Sequence, residues 1–224
     1  MSHREQLLDI YRRTRDRYGP QRWWPGETRF EVMVGAVLTQ ATAWVNVEKA
    51  LLNLNAAEVL SPAGIRSLDE PDLARLIYPS GYYNSKARKL KALVDYLGRR
   101  FGDDLDAMAQ EDMASLRSEL LDVYGIGEET ADDILLFGLR MPSFIVDNYT
   151  RRILSRLGIL DEKASYSVYR AFFTDNLPED RDLYSEYHGL IVRHAKVACR
   201  KRPLCHDCCL LDICPTGRQN GRTA

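Results

Sequence analysis

Long apolar runs are missing from this 224-residue chain. No stretch approaches the ~18–20 residues of a membrane-spanning helix, so no membrane partner is expected. A charge excess of either sign is missing too: 31 Lys and Arg stand against 32 Asp and Glu, for a formal charge of −1. That excludes a wholesale polycation but not a localised basic face that meets a polyanion. Alternating apolar and polar runs are absent, which argues against β-sheet. Internal repeats and low-complexity tracts are absent as well. Cysteine is scarce, at five residues. Met1 to Tyr18 is polar and charged, unlike a secretory leader. Clustered cysteines without such a leader suggest a metal site in a reducing compartment, and a cytoplasmic location is expected.

What is present is helical periodicity. The apolar fraction of 45% and charged fraction of 28% are those of an ordinary globular protein, long enough for one domain or two small ones. Phe30, Met33, Val34, Val37 and Leu38 follow the spacing of a buried helix. Leu90, Leu93, Val94 and Leu97 mark an amphipathic one. Ile153, Leu154 and Leu157 lead to a stop at Gly158. Breaks are expected at Gly19-Pro20, Pro25-Gly26, Ser61-Pro62, Pro79-Ser80-Gly81, Gly102 and Met141-Pro142. The tail from residue 217 onward reads as flexible.

Two motifs carry chemistry. Cys199, Cys205, Cys208 and Cys214 are spaced C-x5-C-x2-C-x5-C, and four such thiolates can share one metal centre, either Zn²⁺ or an iron–sulfur cluster. Cys209 is the spare. Residues 193–202 carry five Lys or Arg and no acid, which suits a phosphate-contacting loop. The second motif is Tyr124-Gly125-Ile126-Gly127, between two helical patterns. Its glycines permit a sharp turn with positive φ. Ile126 is expected to pack between the helices. Backbone N–H groups there, and at the helix start near Glu128, Glu129 and Thr130, can hold a phosphate oxygen.

L-x-x-x-G-I-G-x-x-T-A-D-x-I-L, then V-D-N-Y-T-R-R-I, then the cysteines, resembles the helix-hairpin-helix DNA glycosylases of the endonuclease III superfamily. The likeness runs from about residue 28 to 215. It includes Leu38-Thr39-Gln40-Ala41-Thr42 and Gly81-Tyr82-Tyr83-Asn84-Ser85-Lys86-Ala87. The resemblance implies an all-α, two-domain fold. Residues 29–139 would form a six-helix domain carrying the hairpin. Residues 1–28 and 140–216 would form a second domain around a [4Fe–4S] cluster on Cys199, Cys205, Cys208 and Cys214. The implied partner is double-stranded DNA with a damaged base, bound by a monomer.

The resemblance also assigns roles. Asp147 matches the family's essential aspartate, and a carboxylate suits the positive charge that builds on the sugar as an N-glycosidic bond breaks. Asp is also a good N-cap, and the two roles are compatible. Where endonuclease III has its Schiff-base lysine, this chain has Glu129, which cannot form that bond. A monofunctional glycosylase follows, unless a lysine elsewhere, such as Lys86 or Lys196, reaches the sugar. Gln40 would fill the stack vacated by the flipped base, or else cap its own helix. Tyr82 would wedge into the opposite strand, or else sit idle on a surface loop. Gly125, Ile126, Gly127 and Thr130 would meet one phosphate region, and Arg200, Lys201 and Arg202 another. Trp23-Trp24-Pro25 and Trp44 resemble the aromatic pocket of the 3-methyladenine branch, where a cationic purine meets aromatic faces. That branch can place a lysine after the His-Gly corresponding to His188-Gly189, whereas this chain has Leu190. Glycosylases for oxidised pyrimidines, or for mispaired thymine or uracil, share the hairpin, Gln40 and cluster. A non-catalytic damage-binding module and an electron-carrying cluster protein are the readings from other classes.

Overall fold

The computed structural model describes residues 2–21, 23–24 and 26–220. Pro25 and the last four residues lie outside them. The described residues form α-helices, short 3₁₀ and π turns and loops, with no strand. In chain order α1 (His3–Tyr18) comes first. Then follow α2 (Arg29–Leu38), α3 (Trp44–Ala56), α4 (Pro62–Ser67), α5 (Glu70–Leu76), α6 (Tyr83–Phe101), α7 (Leu105–Met108), α8 (Met113–Asp122) and α9 (Glu128–Asp133). The last four are α10 (Asn148–Arg156), α11 (Tyr166–Thr174), α12 (Arg181–Val197) and α13 (Pro215–Asn220). Two compact units result: Trp24–Met141, and Met1–Trp23 with Pro142–Ala224. No helix among the described residues is long and apolar enough to cross a membrane.

In the first unit α2 is the central element. Thr28 caps it by accepting the N–H of Glu31, and eight of its ten residues are buried. α6 lays Leu90, Leu93, Val94 and Leu97 into the same core, and stops at Gly102 with φ +59°. Burying such side chains stabilises by about 1.5–3 kcal/mol each. The six helices implied by resemblance are resolved here as eight α-helical segments, α2 to α9. Prolines just inside the starts of α4 and α5 break that stretch into short pieces, capped by Ser61 and Asp69. α9 runs on into a π turn, Ile134–Gly138.

The second unit packs around aromatics. Phe144 stacks on Phe173 at 3.8 Å, and Tyr184 and Tyr187 meet Phe144 edge-on. The buried Tyr187 hydroxyl donates to Leu7 O in α1 at 2.8 Å. Gly19 and Gly158, both at φ +71°, end α1 and the turn after α10 as expected. Of the tail expected to be flexible, residues 221–224 lie outside the described residues. Residues 215–220 continue as α13, because Gly217 N–H donates to Cys214 Sγ and Arg218 N–H to Cys214 O.

Candidate active site and nucleic-acid interface

The hairpin between α8 and α9 is tight for a specific reason. Gly125 has φ +81°, and a Cβ there would fall 2.3 Å from Cγ of Lys89. Gly127 departs from the expected positive φ. It is extended, at φ −94°, and serves as the N-cap residue of α9, with open space where a Cβ would stand. Ile126 packs into the core as expected, at 4% exposure.

Gln40 neither caps α2 nor stands free. Its Nε2 donates to Gly125 O at 3.0 Å and to Thr130 Oγ1 at 2.9 Å, and its Oε1 accepts from Lys89 Nζ. The turn after α2 is therefore tied to the hairpin. Lys89, which no sequence motif marks, lies one helical turn beyond Lys86 on α6. Tyr82 precedes α6 in a left-handed conformation, φ +49°, with 74% of its surface exposed. Lys86, a conceivable replacement nucleophile, is 1% exposed and its Nζ is saturated by three oxygens. Burial, then the charge of Lys89, lowers its pKa to about 8. Glu129 lies in the exposed first turn of α9.

The tryptophans divide between the units. Trp24 stacks on Phe137 at 4.9 Å and meets Trp44 edge-on at 5.1 Å, with Gly35 beneath both rings. Trp44 Nε1 donates to Glu48. Phe137 joins this cluster from the π turn, which no sequence periodicity signals. Trp23 belongs to the other unit. Its ring meets His188 edge-on at 6.1 Å, Lys196 Nζ lies 5.9 Å from its centroid, and Gly189 leaves room for its Cβ.

Asp147 is the N-cap of α10. Its Oδ1 accepts from Thr150 N–H at 2.7 Å and from Thr150 Oγ1 at 2.8 Å, and 9% of the residue is exposed. Among the described residues these bonds leave Oδ2 uncommitted. The Tyr166 hydroxyl accepts the N–H of Val146 and fixes the preceding residue. His188 is buried nearby. Burial pushes its pKa below the ordinary value, the Asp147 carboxylate opposes that shift, and Lys196 adds to it.

Cys199, Cys205, Cys208 and Cys214 line one cavity, together with His194 and Arg156. Burial first, and then the neighbouring thiols, push Cys214 above its ordinary pKa and Cys208 up to about 11. Sulfurs that raise one another in this way suit a cationic centre, which reverses the effect. Arg156 Nη1 donates to Cys199 Sγ at 3.3 Å and Gly217 N–H to Cys214 Sγ at 3.2 Å, both suited to thiolates. The donor set thus fits an iron–sulfur cluster. Among the described residues, no three His, Cys, Asp or Glu side chains meet the geometry of a single bound ion. Cys209 is absent from the lining; its Sγ lies 4.0 Å from Nδ1 of His194, which the Tyr18 hydroxyl meets at 2.9 Å. Arg200, Lys201 and Arg202 are exposed on the loop between Cys199 and Cys205. Arg156 grips the carbonyls of Arg200 and Lys201.

Residues 34–179 match the model of the HhH-GPD superfamily base excision DNA repair proteins. The chain belongs to that superfamily. Its architecture and motifs are those of a DNA glycosylase of the endonuclease III type. A provisionally named DNA repair glycosylase of Methanocaldococcus jannaschii is 46% identical, over 94% of this chain and 96% of its own. Endonuclease III of Sulfolobus acidocaldarius is 31% identical, over 84% and 83%. Among solved structures, the Helicobacter pylori 3-methyladenine DNA glycosylase bound to 1,N6-ethenoadenine is 29% identical. It superposes with a TM-score of 0.74, over 88% of this chain and 98% of its own.

Proposed function

We propose that this glycosylase is monofunctional: it flips an alkylated purine out of duplex DNA and hydrolyses its N-glycosidic bond with water. The observation that carries the reading is Glu129 at the Schiff-base position, with Lys86 sequestered in the protein interior. A carboxylate cannot form an imine with the opened sugar, so covalent lyase chemistry has no nucleophile there.

Asp147 supplies the electrostatic help. As the bond breaks, the electron pair leaves with the base and positive charge grows on the sugar. Thr150 holds Oδ1, and Oδ2 is the oxygen that faces this charge and orients water. The hairpin N–H groups bind one phosphate region, and Arg200, Lys201 and Arg202 contact another. Gln40 leaves the hairpin to fill the gap, and Tyr82 wedges the opposite strand. Cys199, Cys205, Cys208 and Cys214 hold a [4Fe–4S] cluster that ties the basic loop to the body. Trp24, Trp44 and Phe137 offer aromatic surface to an electron-poor base. The likeness to a 3-methyladenine glycosylase supports this substrate class.

A panel of duplexes with one lesion each tests the proposal, scoring free base and strand cleavage separately. Release of 3-methyladenine without cleavage is expected. Asp147→Asn should keep duplex binding and lose roughly 10²–10³-fold in base release. Unchanged release would remove Asp147 from the mechanism. Borohydride trapping of a protein–DNA adduct would favour instead the glycosylase/lyase reading suggested by the endonuclease III relatives.

A further inference from the structure

Lys86 is the least exposed charged side chain of α6, and among the described residues no carboxylate pairs with it. Its Nζ donates to Leu38 O at 2.8 Å, Thr42 Oγ1 at 2.7 Å and Ser80 O at 2.7 Å. Leu38 O is a last-turn carbonyl of α2, and Ser80 O is the last carbonyl of the 3₁₀ turn Tyr78–Ser80. Thr42 Oγ1 in turn donates to Ser80 O. These bonds join two turns that are separate in sequence. One carries Gln40 and the other leads into Tyr82.

Burying an unpaired ammonium is costly, and an apolar side chain of similar volume is often no worse for stability. The cage therefore needs a reason beyond packing. We propose that Lys86 is a positioning residue that sets the separation between Gln40 and Tyr82, so that both enter a duplex in register when a base is extruded. The proposal rests on the reading of Gln40 and Tyr82 as the side chains that probe DNA. Lys86 itself touches neither the base nor the sugar. It acts by fixing Leu38 and Ser80, each of which lies two residues before its probe. Lys89 completes the arrangement from the next turn of α6, by holding Gln40 against the hairpin until DNA arrives.

Positioning separates from simple stability because extrusion costs little when the lesion is already unpaired. The test compares single-turnover base release from a lesion paired in duplex with release from the same lesion in a one-nucleotide bulge. A 2-aminopurine neighbour reports extrusion, and circular dichroism and thermal melting report folding. Lys86→Met is expected to slow the paired substrate by about 10²-fold, as a displacement near 1 Å can, and to leave the bulged one within a few-fold. Thr42→Val removes the shared hydroxyl without touching the charge, and should show the same selectivity with a loss of roughly 2- to 10-fold, the size of one hydrogen bond. If Lys86→Met does not fold, Thr42→Val decides alone. Equal loss on both substrates, or loss on neither, in a folded variant overturns the proposal. Gln40→Ala and Tyr82→Ala separate the two levels of the argument. If neither slows the paired substrate selectively, the probe reading fails. If they do and the Lys86 and Thr42 variants do not, only the positioning role fails.

Discussion

The hairpin and the cysteine segment are both short, irregular and assigned to DNA contact, yet they are held in opposite ways. The hairpin is complete in protein bonds. Ile126 is in the core, Gly125 O is claimed by Gln40, and Lys89 runs across the glycine. Residues 199–214 have no such support. Their only regular pieces are two three-residue 3₁₀ turns with no buried residue, and Leu210 alone reaches the core. Their outside ties include Arg152 to Cys199 O, Arg156 to Cys199 Sγ and to neighbouring carbonyls, Cys214 Sγ to Arg156 O, and exposed pairs such as Arg17 with Asp207. Exposed pairs contribute about 0–1 kcal/mol. One of the two elements proposed to meet DNA is thus preorganised by the chain, and the other depends on what binds its thiols.

The largest effect follows from that dependence. If these thiols hold the proposed cluster, Cys208→Ser should abolish its absorbance and remove several kcal/mol of local stability, since cofactor binding free energy is folding free energy for such a segment. Hydrogen exchange should then rise steeply across 199–220 while α2 and α6 stay protected. A segment that keeps its protection without the cluster would erase the contrast between the two elements.

The hairpin offers a sharper, smaller test. Gly125→Ala meets two obstacles: a left-handed backbone, costing about 1–2 kcal/mol for an L-residue, and the Lys89 stem at 2.3 Å. Lys89 must move, and Gln40 loses a partner. We expect about 1–3 kcal/mol of lost stability in denaturant melts. Gly127→Ala meets neither obstacle, because its backbone is extended and its Cβ direction is open. It should change stability by less than about 0.5 kcal/mol, yet weaken duplex binding if the bound phosphate lies against that open face. Equal destabilisation by both substitutions would contradict the geometry.

What local pattern dictates was legible in the sequence. Burial of α2 and α6 follows from their 3.6-residue spacing, the stops at Gly19, Gly102 and Gly158 from their positive φ, and the cysteine cavity from clustering alone. Contacts between distant segments were not legible. Gln40 binds residues 85 and 90 positions away, and nothing near Gln40 announces it. Lys86 reads as one more polar residue of an amphipathic helix, because composition does not reveal three carbonyl and hydroxyl acceptors gathered from elsewhere. Phe137 joins Trp24 only because α9 widens into a π turn. The helical form of 215–220 depends on Cys214 and its sulfur. The paired glycines looked equivalent, but the turn needs a left-handed residue only at the first.

The last test concerns Lys86 and extends the comparison to pH. Its pKa falls from 10.5 to about 8 on folding, chiefly through burial. Between those values the unfolded chain binds more protons at this site than the folded one, so stability contributed there rises with pH. Below about pH 8 both states carry the charge and its full burial cost is felt. The difference in unfolding free energy between the native protein and Lys86→Met should therefore move in favour of the native protein from pH 8 to 10, and be flat from pH 6 to 7.5. Denaturant melts at matched ionic strength measure it. A difference independent of pH would mean that the ammonium is not desolvated, and would weaken the claim that α6 holds the probing turns through a buried charge.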